Sequence, residues 1–332
     1  MKNKKIELRE KVKPFEKAID KRAYKQILNT FLPFLVLWIL AYEGLKVSFW
    51  LSLPISIINA GFLVRIFIIF HDCTHQSFFK SHKANKILGT ICGIFTHFPF
   101  EKWKREHSIH HATSGNLDKR GIGDIWMMTV DEFKTASRWT RFAYRLYRNP
   151  FVMFVLGPLF LFLIENRFNN KTVKRKERLN TYLINFSLVV IYLILIFTVG
   201  WKALICIQVP ILFLSGMLGI WLFYVQHQFE DSYFEEQSKW DYVKSAVEGS
   251  SFYKLPRILQ WLTGNIGYHH VHHLSPRVPN YSLEQAHNST PPLHHVTTIT
   301  LLTSLKCLRF HLFNEKDKSF ISFKQFKSMT EN

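Results

Sequence analysis

The sequence predicts an all-α integral membrane protein. It would have about four transmembrane helices in two hairpins, interfacial helices between them, and a helical cap on the cytoplasmic side. Three observations predict this. Apolar stretches of membrane-spanning length come in two pairs, each joined by a connection of a few residues. The segments outside them are basic: 43 Lys and Arg against 24 Asp and Glu give the 332-residue chain a formal net charge of +19. Histidine is gathered into three clusters at the edges of the apolar stretches: His71-Asp72-Cys73-Thr74-His75, His107-Ser108-Ile109-His110-His111 and His269-His270-Val271-His272-His273.

Taken in order, residues 1–27 are charged with apolar residues interspersed, and read as a cytoplasmic or interfacial helical segment. They are polar for too long to be a signal peptide, so no cleaved segment is expected. A membrane domain over residues 28–313 follows, with spans at about 29–46 and 48–70, broken by Glu43 and Lys46. Arg65, near the end of the second span, is expected to snorkel to the interface. The apolar run within 76–100 is too short to cross and reads as re-entrant or interfacial. Residues 151–164, interrupted by Gly157-Pro158, read as interfacial too. The basic run KTVKRKER precedes a span at about 181–199, Gly200-Trp201-Lys202 makes the turn, and a fourth span returns over 203–225. Residues 314–332 read as a dispensable polar C-terminal tail.

Lys and Arg in excess mark the cytoplasmic side. The N-terminus, the 71–179 segment and the C-terminal region are all basic, and four spans then put both termini and every histidine cluster on that side. With 31 Phe and 16% aromatic residues the composition suits lipid contact. The positive charge points to an anionic phospholipid surface. Nucleic acid is not expected as a partner, because no nucleic-acid-binding motif is present and the basic residues lie between the spans. Cys73, Cys92, Cys206 and Cys307 form no CxxC, so no disulfide framework is expected.

The clusters are HxxxH, HxxHH and HxxHH. On a helix, positions i, i+3 and i+4 share a face, so each cluster can turn two or three imidazoles toward one point. That supplies His71, His75, His107, His110, His111, His269, His272 and His273. His227 is a ninth candidate, placed after the fourth span as His71 is placed after the second. One such histidine alone would read as a surface residue; three clusters together do not. Eight or nine neutral nitrogen donors are too many for one ion and suit two, while imidazole alone leaves iron, zinc, copper and nickel open. No ExxH lies within a span, so the site is histidine-dominated, unlike carboxylate-bridged di-iron bundles. HExxH, GxGxxG, P-loop and GxSxG elements are absent.

Asp72 and Glu106 are candidates to accept the far ring N–H of a ligand. Asp124 could do the same or cap a helix. Asn265 could hold a metal-bound water, whereas Gly264 and Gly267 mark a turn. Trp103 and Trp126 read as interface aromatics. His82, His97, His287, His294, His295 and His311 read as surface or capping residues.

HDCTH, HSIHH and HHVHH, in this order with spans between them, resemble the three histidine boxes of the integral-membrane fatty acid desaturases. HDCTHQSFFK, EKWKREHSIHHATSGNLDKRGIGDIW, FYVQHQFEDSYF and LTGNIGYHHVHHLSPRVPNY resemble in particular the bacterial acyl-lipid (phospholipid) desaturases of delta-5 and delta-12 type, over roughly residues 60 to 290. The resemblance implies a centre of two iron ions (Fe2+/Fe3+) with O2 as co-substrate. Two hydrogens leave adjacent methylenes of a saturated acyl chain, a cis double bond forms, and the oxygen departs as water. It carries the ligand role to the eight box histidines, with His227 matching the extra histidine before the third box. His269, His272 and His273 satisfy HxxHH, so His270 is left to a supporting role. No catalytic residue beyond the metal centre is implied.

A membrane hydroxylase or ketolase of the same superfamily would share the ions and differ in where oxygen ends. A metal transporter would need ionisable residues inside the spans, which hold few besides Arg65. No flavin, iron–sulfur or HPGG element is present, so a separate donor of ferredoxin or flavodoxin type is expected. The expected location is the cell inner (cytoplasmic) membrane, with membrane phospholipid acyl chains as substrate.

Overall fold

A computed structural model describes the backbone of residues 2–331 and the side chains of residues 7–331. After a short helix α1 (Lys2–Val12), two long helices form the first hairpin: α2 (Asp20–Val47) and α3 (Phe49–Thr74). Ser48 alone separates them. It is extended, and its hydroxyl accepts from Trp50 N (3.2 Å) to start α3. α4 (His82–Thr96) and α5 (Phe100–Thr113) follow. α6 (Val130–Thr135) and α7 (Arg138–Tyr147) lead to α8 (Val152–Glu165). The second hairpin is α9 (Arg175–Val199) and α10 (Trp201–His227), hinged at Gly200 with φ +88°, a conformation that favours glycine. The cap is completed by α11 (Tyr242–Glu248), α12 (Arg257–Leu262), α13 (His269–Leu274), α14 (Asn280–Asn288) and α15 (Phe323–Glu331).

The four candidate spans are α2, α3, α9 and α10, of 28, 26, 25 and 27 residues. At about 1.5 Å per residue they reach beyond a hydrocarbon core of about 30 Å. Over its apolar window 56% of α3 is buried within the protein, against 11% for α9. α3 is therefore the central helix, and Leu183, Phe186 and Phe197 of α9 face outward. One side of α3 (Leu63, Ile66, Phe70, Cys73) packs on Phe34, Cys92, Phe100 and Ile211. Its other side (Val64, Ile68) joins Leu222, Val225, Val271 and Leu283. The end of α3 is thus clamped between α5 and the cap.

α7 and α8, the latter containing most of the 151–164 stretch, are bent by 67° and together reach spanning length and hydropathy, as a broken span or a re-entrant loop would. One expectation needs correction. Arg65 does not snorkel. It is buried; its Nε donates to Thr30 Oγ1 (3.0 Å), its guanidinium bonds Trp261 O, and it lies 3.9 Å over the Trp261 ring. Those contacts compensate the charge where it stands. The residues expected as a polar C-terminal tail are folded against the cap. β4 (Leu312–Asn314) pairs antiparallel with β5 (Ser319–Ile321) and parallel with β1 (Met128–Thr129), and Phe313, Phe320 and Phe326 are buried against Leu117, Phe133 and their neighbours. A second pair, β2 (Phe252–Lys254) with β3 (Thr298–Thr300), ties the cap together in parallel. The N-terminal segment also docks on the cap: Glu16 accepts from Ser275 Oγ (2.7 Å) and pairs with Arg277 (2.7 Å).

Candidate metal centre

His71 and His75 sit at the last turn of α3, one helical turn apart. α5 carries His107, His110 and His111, and its opposite side is pinned outward. Lys102 pairs with Glu165 (2.9 Å), Arg105 with Glu177 (2.9 Å), and Glu101 N donates to Asn180 Oδ1 (3.0 Å). With that face held against α8 and α9, the histidine face turns inward. α13 is six residues long and wholly buried, and His227 ends α10.

The rings meet as two adjoining groups. Donor atoms of His71, His75, His107, His111 and His272 lie within 4.8 Å of one another, as do those of His110, His227 and His273. His269 joins the second group, with Nε2 2.9 Å from His227 Nε2. The groups touch through His111 and His273, stacked at 4.2 Å. Within the first group His111 Nε2 is 3.0 Å from His107 Nε2 and 2.9 Å from His272 Nε2.

The outer ring nitrogens explain what the inner ones can do. His227 Nδ1 faces Gly249 O (3.1 Å), which can only accept, so Nδ1 carries the hydrogen and Nε2 is bare. His110 Nδ1 donates to Asp124 Oδ1 (2.5 Å). The Nε2 atoms of His110 and His227 face each other at 3.2 Å. A cation held between them would satisfy both lone pairs. An imidazole nitrogen about 2.1 Å from a first-row ion, with two donors at right angles, gives a separation of about 3.0 Å, which matches. His75 Nε2 and His273 Nε2, buried and otherwise without a partner, fit the same role. In the first group His71 Nδ1 faces Asp72 Oδ1 (3.1 Å), and Asp72 Oδ2 accepts from Asn280 N (2.6 Å) and Nδ2 (2.8 Å). Burial, reinforced by neighbouring imidazoles, holds His107, His111, His269, His272 and His273 well below the usual histidine range. They are therefore neutral, the form that binds metal.

All nine sequence-predicted histidines converge, and Asp72 and Asp124 stand behind ring nitrogens. Glu106 does not; it pairs with Arg105 (3.0 Å). Asn265 adopts φ +59° and its amide donates to Asn280 O (3.3 Å), so it braces the turn before α13 instead of facing the rings. His270 points away, with Nε2 2.9 Å from His287 Nδ1.

Two residues were misread. His287 is not a surface residue: it is buried on the inner face of α14 and meets Phe252 and Tyr268. Its spacing from Leu283 and Ala286 carried that signal. Trp103 is no mere interface aromatic, since it stacks on His107 (4.1 Å, 25°) from one turn earlier on α5. His97, by contrast, caps α4 with φ +63°. Trp126 stays largely open.

Four candidate spans with two adjoining imidazole clusters at one end define, by fold and site, a helical membrane-protein architecture with a histidine cluster suited to holding metal. The sequence pattern of the fatty acid desaturase family matches residues 48–300, a stretch that contains all nine rings, and the chain belongs to that family. It is 59% identical over 325 residues to the "Fatty acid desaturase" of Bacillus subtilis (strain 168), covering 98% of this chain and 92% of that protein. It is 28% identical over 286 residues to an sn-1 oleoyl-lipid 12-desaturase of Synechocystis, covering 83% and 77%. It is 24% identical over 301 residues to the chloroplastic omega-6 fatty acid desaturase of Spinacia oleracea, covering 83% and 62%. Membership makes the chain a desaturase, an oxidoreductase by class.

If Asp124 orients His110 as a ligand, Asp124→Ala will lower metal affinity roughly 10- to 100-fold in a chelator competition. Equal affinity in variant and parent would deny Asp124 that role.

Proposed function

We propose that the chain is an O2-dependent acyl-lipid desaturase that places a cis double bond in a saturated acyl chain of membrane phospholipid, with two iron ions held by the nine histidines. The observation that carries this is the pair of adjoining imidazole groups at the ends of the candidate spans α3 and α10. Iron bound there would supply O2 activation and the abstraction of two hydrogens from unactivated methylenes, with the oxygen leaving as water.

The chain's own residues do the positioning. Asp72, Asp124 and the Gly249 carbonyl hold the outer nitrogens of His71, His110 and His227, which aims each Nε2 inward. Trp103 fixes the plane of His107. The apolar packing around α3 shields the rings from water. The Lys and Arg excess supports a cytoplasmic orientation of the histidine end in the cell inner membrane.

Electrons would come from a separate ferredoxin or flavodoxin. These are acidic proteins, and the net charge of +19 favours steering them to the basic face. Their transfer rate should fall as salt rises, and a rate indifferent to ionic strength would set the donor reading aside.

The activity is tested by mass spectrometry of membrane fatty acids from a desaturase-free bacterium expressing the chain, against His272→Ala. A new cis-monoene present only with the parent chain is the expected result. Hydroxylated chains would favour the hydroxylase alternative. An unchanged profile from folded, iron-loaded protein with a working donor would contradict the proposal.

A further inference from the structure

Where the chain turns from α8 into α9 it leaves an open cleft of about 420 Å³, lined by Arg167, Lys171 and Arg178 together with Asn169 and Asn170. Three neighbouring cations are paired: Lys102 with Glu165, Arg105 with Glu177 and Lys176 with Glu101. Among the described residues, no carboxylate pairs with Arg167, Lys171 or Arg178. Arg167 donates to Asn185 Oδ1 (2.7 Å) and to His97 O, which leaves its Nε without an acceptor. The Asn169 carbonyl accepts from Thr181 Oγ1 (2.9 Å), and its Nδ2 likewise has no acceptor. Three unneutralised cations and two unmatched donors ask for an anion rich in acceptor oxygens.

The flanks of the cleft are apolar. Phe168 and Tyr182 line it and are 68% and 57% exposed, and Leu179, Leu183 and Phe186 continue an outward apolar face along α9. We infer that this cleft binds the phosphate of an anionic glycerophospholipid, with the acyl chains lying along α9. Soluble phosphate shares the anion chemistry, but the apolar flank offers it nothing.

The position gives the site a consequence. Glu177, beside Arg178, grips Arg105 of α5, and Asn180 accepts from Glu101 N. A lipid anchored here is thus tied through α9 to α5, the helix that carries His107, His110 and His111. The inference deepens the membrane-lipid reading above, and it is tested by binding without turnover, so either can fail alone.

The full chain, purified and held in neutral phosphatidylcholine nanodiscs, would be titrated with phosphatidylglycerol and binding read by native mass spectrometry. Lys171→Gln with Arg178→Gln touches no buried contact and should weaken binding roughly tenfold. Arg167→Lys, which keeps the charge but lacks Nε, should weaken it less. Inorganic phosphate at millimolar concentration should not displace the lipid. Equal affinity in the double variant and the parent overturns the site. Displacement by inorganic phosphate overturns the lipid assignment in favour of a soluble anion.

Discussion

The Nε2 atoms of His110 and His227 face each other at 3.2 Å, and the rest of the protein is arranged to keep them there. Each outer nitrogen donates its N–H to an oxygen, the Asp124 carboxylate for one and the Gly249 carbonyl for the other, which turns Nε2 inward. A cation between them would use both inner nitrogens. The surrounding helices hold this geometry by contacts that do not involve the rings. α5 is pinned to α8 and α9 by ion pairs on its far side, and α3 is clamped on both sides by apolar packing.

This division of labour links the membrane to the chemistry. The spans set the depth of His71, His75 and His227, and the cap brings α13 down to them. The extended polar network around Asp72 joins the two parts, since its carboxylate holds His71 on one oxygen and the start of α14 on the other. The N-terminal segment and the β4–β5 pair then lock the cap from outside.

Much of this was legible in the sequence for physical reasons. A span announces itself because lipid tolerates almost only apolar side chains over some 20 residues, and the histidine spacings match the helix period. His227 could be placed from its position after a span. What could not be read depended on distant partners. Arg65 is held by Trp261, 196 residues later, so the isolated span suggested snorkelling. Asp124 and Glu106 both lie close to the second box, but only the loop after α5 folds back to bring Asp124 to His110. β4 and β5 are held by pairing with each other, and β4 by pairing with Met128–Thr129, which no local pattern reveals. His287 and Trp103 did carry helical spacing signals, and those signals were outweighed by their ordinary reading as surface or interface residues.

The central claim is that nine imidazoles form two adjoining metal positions. The most direct test is elemental analysis of folded, full-length chain purified from iron-replete cells, with Mössbauer spectra of the same sample. The account predicts about two irons per chain, both in nitrogen-rich surroundings. A single ion per folded chain, or iron that leaves with His269→Ala and His227→Ala no more readily than from the parent, would contradict it.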